Sequence, residues 1–194
     1  MNVPFVVPED DTTPYPADFE RVVACVREMG YALDIIEEGR AGGAIFDRVP
    51  FLVSFDAAGR FLSIRALWEP EIPAETGEHA MFATADNWNR EKYFPTVYTA
   101  TTPEGKLGVY ADFVVDTKPG LSNNQLRDMI ASGISTGIAA MEYVKESASE
   151  ALGWVNSDSD ERLPLVVLLA RGRGGFTRAR AVGPRHGVVG VASG

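Results

Sequence analysis

A long amphipathic segment that begins at Ser122 constrains the fold more than any other part of the chain. Ser122 and Gln125 form the S-x-x-Q pattern of a helix-capping box, and the following residues predict one helix that ends near Leu152. Its apolar positions recur at helical spacing, and Gly133 and Gly137 lie among them. Glycine in mid-helix costs about 1 kcal/mol relative to alanine, so two glycines on a buried stripe indicate that another backbone approaches closely. We expect this neighbour to be a sheet of the same domain rather than a second copy of the chain.

Strand patterns dominate the remainder of the domain. In chain order the sequence predicts a helix over 17–29, strands over 32–36, 44–55 and 61–68, a helix over 76–93, a hairpin of two strands over 96–115, and the long helix over 122–152. Gly42 and Gly43 predict a turn, and Pro50 predicts a sheet edge or a bulge because proline cannot donate to a ladder. Residues 61–68 alternate, so that one face carries Leu62, Ile64, Ala66 and Trp68 and the other carries Ser63 and Arg65. Consecutive hairpins favour an antiparallel sheet. The predicted class is therefore α+β, with about five strands and three helices in the order α-β-β-β-α-β-β-α.

Composition and charge divide the chain into three parts. We expect residues 1–16, rich in proline and acid, to form an extended lead, 17–155 to form the domain, and 156–194, rich in glycine and arginine, to be a poorly ordered extension. Residues 162–194 contain six arginines and no acidic residue, whereas the rest of the chain carries 12 basic and 27 acidic residues. A body this acidic repels nucleic acid and anionic lipid, so only the arginine-rich extension could bind polyanions.

The sequence predicts a cytoplasmic location. Cys25 is the only cysteine, which suits a reducing compartment. The N-terminal apolar stretch is broken by Pro4 and Pro8 and follows no basic residue, so it does not resemble an export signal. No apolar run approaches the roughly 18 to 20 residues that span a bilayer, and we therefore expect no membrane association.

No pattern typical of a catalytic or metal-binding site is present. His79, His186 and Cys25 are too few and too scattered for a zinc site, which needs three or four ligands. The G-x-S-x-G nucleophile motif, a phosphate-binding glycine loop and a calcium loop are all absent. The sequence therefore predicts no catalytic residue, no metal and no cofactor.

One short motif is distinctive: Asn87-Trp88-Asn89, followed by Phe94-Pro95. Asparagine is a poor helix former because its side chain competes for backbone hydrogen bonds. The favoured interpretation is that Trp88 lies in the core while Asn87 and Asn89 bond to loop or strand backbone. The alternative is that this motif, with Phe94 and the strand residue Trp68, contacts a partner or a ligand.

These features together resemble the YbjN family. The motifs that carry the resemblance are the strand over 61–66, the Asn-Trp-Asn helix before Phe94-Pro95, the strand over 108–113 with the sequence GVYADF, and Gly120-Leu121-Ser122 at the start of the long helix. The family is described as bacterial sensory transduction regulators. The resemblance implies a fold similar to type III secretion chaperones over 17–155, and the residues after 156 depart from the family pattern.

The resemblance implies a non-catalytic, cytoplasmic protein-binding module with a regulatory or chaperone-like role. Its partner would be another protein, and homodimer formation is also implied because secretion chaperones of this fold are typically dimers. Three alternatives remain open. They are a small-molecule sensor with a pocket between the sheet and the second helix, lined by Trp68, Trp88 and Phe94; an enzyme; and a protein that binds nucleic acid through the arginine-rich extension.

Overall fold

The structure, a computed structural model, describes residues 7–155. The predicted extension over 156–194 and the first six residues of the predicted lead lie outside the described residues. The helices are α1 (Phe19–Glu28), α2 (Ala74–Glu91) and α3 (Asn123–Leu152), and the strands are β1 (Asp34–Glu37), β2 (Ala41–Phe46), β3 (Val49–Phe55), β4 (Phe61–Trp68), β5 (Thr96–Thr101) and β6 (Leu107–Asp116). The strands form one antiparallel sheet in the order β1-β2-β3-β4-β6-β5. The predicted α+β class is confirmed, with six strands in place of about five.

The core lies between one face of the sheet and the helices. Alternate residues of β4 (Leu62, Ile64, Ala66 and Trp68) are buried there, as the strand pattern predicts. The helix α3 crosses β3, β4 and β6, while α2 packs on β5, β6 and α3. The opposite face of the sheet carries a different set of side chains, among them Arg65 and Tyr110.

The additional strand arises within residues 44–55, which the sequence predicts as one strand interrupted near Pro50. Asp47 and Arg48 form a tight turn with positive φ angles of 49° and 63°, and this turn divides the segment into β2 and β3. Phe46 of β2 consequently pairs with Val49 of β3. The sequence offered no glycine to mark this turn.

Two other local predictions differ from the structure. Gly42 and Gly43 lie inside β2 and not in a turn, and a Cβ at Gly42 would lie 3.1 Å from Leu33 Cβ. Pro50 belongs to β3, an interior strand, so it marks neither an edge nor a bulge. Pairing of β3 with β4 begins one residue later, at Phe51, so the missing N–H of Pro50 costs no ladder bond there.

The long helix has the predicted ends. The Ser122 side chain accepts from Gln125 N–H and the Gln125 side chain accepts from Ser122 N–H, which completes the capping box. At the other end Gly153 adopts the left-handed conformation with φ of 64°. Both termini therefore satisfy backbone groups that a helix otherwise leaves without partners.

The described part of the lead is fastened to the start of α3. Tyr15 forms an isolated antiparallel bridge with Leu121. The Arg21 guanidinium lies 3.4 Å from the centroid of the Tyr15 ring and donates to the carbonyl oxygens of Tyr15 and Leu121. This part of the lead bends over residues 9–13 and is tied to the domain by the bridge at Tyr15 and by Arg21.

Candidate functional site

A polar and aromatic cluster lies on the face of the sheet opposite the helices, here called the outer face. The cluster consists of Arg65 on β4, Tyr98 on β5, Tyr110 and Asp112 on β6, and Glu69 just after β4. Side chains alternate between the two faces of a strand, so these residues point away from the core neighbours that flank them. Three adjacent strands therefore build one surface.

Arg65 and Asp112 form the centre of the cluster. They are directly opposite each other in the ladder between β4 and β6. Arg65 Nε lies 2.5 Å from Asp112 Oδ1, and Arg65 Nη2 lies 2.7 Å from Oδ2, so the pair is bidentate. The two side chains are only 14% and 15% exposed. Burial disfavours the charged guanidinium and lowers its pKa, but the hydrogen bonds to Asp112 and the electrostatic interactions with Asp112, Tyr98 and Tyr110 together hold the pKa of Arg65 above its ordinary value.

Two tyrosines flank this ion pair and are fixed by carboxylates. Tyr98 Oη donates to Asp112 Oδ2 at 3.2 Å, and Tyr110 Oη donates to Glu69 Oε1 at 2.7 Å. The two ring centroids are 5.5 Å apart. A Cβ at Gly108 would lie 2.5 Å from Tyr110 Oη, so the tyrosine lies across a position that only glycine leaves open. Burial and the neighbouring carboxylates raise the pKa values of both phenols, which therefore remain protonated at neutral pH.

Below the tyrosines the outer face has a small apolar cluster of its own. Leu67 is only 3% exposed, and the apolar residues packed against it are Ile36, Leu52 and Tyr110, all on strands. No helix residue belongs to this cluster within residues 7–155. In the described part of the chain, the apolar contacts of Leu67 are therefore all with strand residues of the outer face.

The predicted site residues include no member of this cluster. The alternation in β4 directs Arg65 away from the core, which is where the structure places it. Its partner Asp112 follows 47 residues later, and nothing in the sequence specifies the register that joins them. An arginine and an aspartate, each on the polar side of an apolar strand, were the available signal.

The structure places the two predicted tryptophan candidates in the core. Trp68 is 6% exposed and packs edge to face on Trp154, with ring centroids 5.1 Å apart. Trp88 is 7% exposed, and its Nε1 donates to the Pro95 carbonyl oxygen at 2.9 Å. Both indoles thus lie on the helix side of the sheet, away from the outer face.

The other predicted candidates lie around the start of β5. The Asn89 carboxamide donates to the Val97 carbonyl oxygen at 2.8 Å and accepts from the Val97 N–H at 2.9 Å. Asn87 is exposed on α2, and Phe94 is 57% exposed with its ring 5.2 Å from that of Phe113. The motif therefore anchors an edge strand, and it is not joined to the outer-face cluster by any of these contacts.

Replacement of Asn89 by alanine should lower the free energy of unfolding by about 1 to 2 kcal/mol, since two hydrogen bonds to Val97 are lost. Urea denaturation of the full chain measures this change. The matched control is Asn87→Ala, which makes the same substitution at an exposed position of the same helix and should leave stability unchanged or slightly raised. Equal stabilities of the two variants would contradict the anchoring role.

The predicted pocket between the sheet and α2 is not favoured by this packing. Two of its three expected lining residues, Trp68 and Trp88, belong to the core. A depression of about 550 Å³ does occur elsewhere, between the lead and the loops before β4 and after β6. It lies at one end of the sheet, and Tyr15, Arg60 and Lys118 are among its lining residues.

The remaining chemistry-bearing side chains are dispersed. His79 is exposed on α2, and burial raises the pKa of the Cys25 thiol in α1, which disfavours the reactive thiolate. In residues 7–155, no group of three or more histidine, cysteine, aspartate or glutamate side chains is placed to hold a metal ion. No helix in the same range is both long enough and apolar enough to cross a membrane.

Comparison with known structures identifies similar folds. A crystal structure of YbjN from E. coli aligns with a TM-score of 0.56 and 10% identity, covering 71% of this chain and 97% of that one. The chaperone–effector complex HopA1–SchA aligns with a TM-score of 0.42 and 18% identity over 66% of this chain and 99% of that one. The Yersinia pestis type III secretion chaperone SycH, in complex with a fragment of YscM2, aligns with a TM-score of 0.36 and 12% identity, covering 62% and 97%.

Comparison of the sequence with known protein families identifies one family. No curated protein matches the chain significantly. The family model YbjN, described as "Putative bacterial sensory transduction regulator", matches residues 18–146. This match spans about two thirds of the 194 residues and includes every helix and strand of the fold up to the last turns of α3. The chain therefore belongs to the YbjN family.

Proposed function

We propose that the chain is a non-catalytic protein-binding module of the cytoplasm, with a regulatory or chaperone-like role, and that it binds its partner on the outer face of the sheet. The observation that carries this proposal is the cluster of Tyr98, Tyr110, Arg65 and Asp112 above the buried Leu67. The description of the YbjN family supports the regulatory role.

The composition and rigidity of this cluster suit a protein interface. Tyrosine and arginine are the residue types that, with tryptophan, dominate binding energy at protein interfaces. Hydrogen bonds to Asp112 and Glu69 already hold both tyrosines. Because the two rings are already ordered, partner binding would cost less side-chain entropy here than on a surface with mobile tyrosines.

The adjoining edge strand β5 offers a second contact for an extended partner segment. The edge is closed at Val97, because Asn89 occupies both of its outward backbone groups. In an antiparallel ladder the next residue oriented like Val97 is Thr99, which presents its N–H and C=O on the same side. Strand addition is thus directed toward the second half of β5.

Affinity capture with matched variants tests the outer face. The full chain and the double variant Tyr98→Ser with Tyr110→Ser are used to capture proteins from lysate of the source organism. The control is Phe82→Ser, which removes an aromatic residue that is 64% exposed on α2, on the helix side of the molecule. We expect proteins recovered with the wild type and with the control to be depleted about tenfold or more with the double variant.

Thermal melting of each variant accompanies the capture, so that loss of fold is recognised. Depletion by Phe82→Ser in place of the double variant would move the binding surface to α2 and contradict the proposal. If the double variant retains every captured protein and only shifts the sedimentation of the chain from dimer to monomer, the outer face joins two copies and the proposed partner is wrong.

A further inference from the structure

We infer that the depression between the lead and the loops before β4 and after β6 binds a small organic phosphate. The depression has a volume of about 550 Å³ and is lined by three segments of the chain, residues 14–17, 58–60 and 117–120. Ligand pockets measure about 300 to 1,000 Å³, so a small molecule fits this one. It is separate from the outer-face cluster, because Asp112 of that cluster and Asp116, which pairs with Arg60, are four residues apart on β6, roughly 13 Å at strand spacing.

The charge at the depression is opposite to that of the domain around it. Residues 7–155 contain 12 lysines and arginines against 24 aspartates and glutamates. Of the described residues that line the depression, two are basic, Arg60 and Lys118, and none is acidic. Arg60 is paired with Asp116, whereas the Lys118 ammonium has no hydrogen-bond or ion-pair partner among residues 7–155. Lys118 is therefore the cation that is available to an anionic ligand.

Contacts between distant parts of the chain hold the walls of the depression in place. The bridge between Tyr15 and Leu121 fixes the lead. The Asp56 carboxylate accepts from the Arg60 N–H at 2.7 Å and closes the turn before β4. The Thr117 hydroxyl donates to the Arg60 carbonyl oxygen at 2.8 Å and joins the two loops. The depression is thus preformed, and a ligand would order little of the chain on binding.

The donors at this site suit a phosphate better than a carboxylate. Arg60 Nε and Nη2 form the fork that matches a planar carboxylate, and Asp116 already occupies both at 3.0 and 2.6 Å. Within the described residues, Arg60 Nη1 and Lys118 Nζ have no hydrogen-bond partner, and they belong to different loops. The oxygens of a tetrahedral phosphate point in several directions, so one phosphate can accept from both donors.

The walls and the surrounding charge restrict the rest of the ligand. Pro14, Pro16 and Pro119 add apolar rings to the lining beside the two basic residues. Apolar walls with a few polar groups are typical of sites for small organic molecules. A long polyanion such as nucleic acid would extend beyond the depression onto an acidic surface that repels it. A short molecule with one phosphate and a small apolar part satisfies both conditions.

Amide NMR spectra of the full chain, recorded during a titration, test the inference. The probe is phenyl phosphate, and its counterparts are inorganic phosphate, which lacks the apolar part, and benzoate, which has a carboxylate. We expect phenyl phosphate to bind with a dissociation constant on the order of 1 mM and to shift the amide signals of Gly59, Lys118 and Gly120. Both counterparts should bind more weakly, and binding of phenyl phosphate should weaken as salt is raised.

Lys118→Gln should weaken the binding of phenyl phosphate about fivefold, as for loss of an exposed ion pair. Lys118 is exposed, so the melting temperature of this variant should equal that of the wild type. The matched control is Lys92→Gln, which makes the same charge change at an exposed residue just after α2 and should leave the dissociation constant unchanged. Equal weakening by the two variants would show attraction by net charge alone and overturn the inference. Benzoate binding as tight as that of phenyl phosphate, or no saturable shift at these amides, would overturn it as well.

Discussion

Replacement of Trp88 by alanine should lower the free energy of unfolding by about 3 to 5 kcal/mol. The indole is 7% exposed and lies between α2 and α3, with its ring centroid 5.5 Å from that of Tyr143. Alanine would leave a cavity the size of most of the indole, and it would also remove the donor to the Pro95 carbonyl oxygen. Urea denaturation at constant pH measures the loss, which should appear as a lower midpoint with an unchanged slope.

Two further variants separate packing from hydrogen bonding at this position. Trp88→Phe keeps much of the ring but removes the Nε1 donor, and it should cost less than Trp88→Ala. Asn87→Ala, at the adjacent exposed residue, should change stability by no more than about 0.5 kcal/mol. A Trp88→Ala protein with wild-type stability but no partner capture would instead make Trp88 a binding residue.

Local sequence signals predicted the elements whose pattern is carried by neighbouring residues. The capping box at Ser122 and Gln125 depends on residues three apart, and the structure contains both of its hydrogen bonds. The alternation in β4 likewise depends on residues two apart, and the core residue Ile64 and the outward Arg65 lie on the expected faces. In both cases the physical cause lies within one turn of helix or one pleat of strand.

The turn between β2 and β3 could not be predicted from the same kind of signal. A two-residue hairpin turn of type I′ needs positive φ at both central residues, and asparagine, aspartate and glycine are the residues most often found there. Asp47 fits that preference, but Arg48 at φ of 63° does not. The pairing of Ala44, Ile45 and Phe46 with β3 maintains this turn in spite of its residues. The stability gained by pairing β2 with β3 therefore outweighs the preference of Arg48 for negative φ.

The candidate site was the least predictable part because it is assembled across strands. Arg65 and Asp112 are opposite each other only once β4 and β6 are in register. Tyr98 joins them through the separate pairing of β5 with β6, in which it is opposite Tyr110. The Asn-Trp-Asn motif was visible because it is contiguous, yet it holds the start of β5 through Asn89 and Val97 and is not part of the outer face.

The second large effect is expected at Gly137, on the side of α3 that faces the sheet. A Cβ at this position would lie 2.8 Å from Phe51 Cε1 and 3.2 Å from Ala66 Cβ. Phe51 is fully buried and cannot turn away, so the neighbour that the glycines accommodate is the sheet of the same domain. Gly137→Leu should therefore destabilise the fold by about 3 kcal/mol or more through overpacking, although leucine is a much better helix former than glycine.

The matched control is Ala139→Leu, which adds a leucine to an exposed position of the same helix and should leave stability nearly unchanged. Urea denaturation and sedimentation of both variants give stability and association state together. If Gly137→Leu dissociates a dimer while the monomer unfolds as the wild type does, the glycine stripe faces a second copy and not Phe51. If the substitution raises stability, α3 is solvent-exposed at this point, and the close packing of Gly133 on Ile64 and of Gly137 on Phe51 is wrong. If Gly137→Leu loses stability and Ala139→Leu does not, the backbone of α3 lies directly on β3 and β4. Only contact at van der Waals distance makes one added side chain this costly.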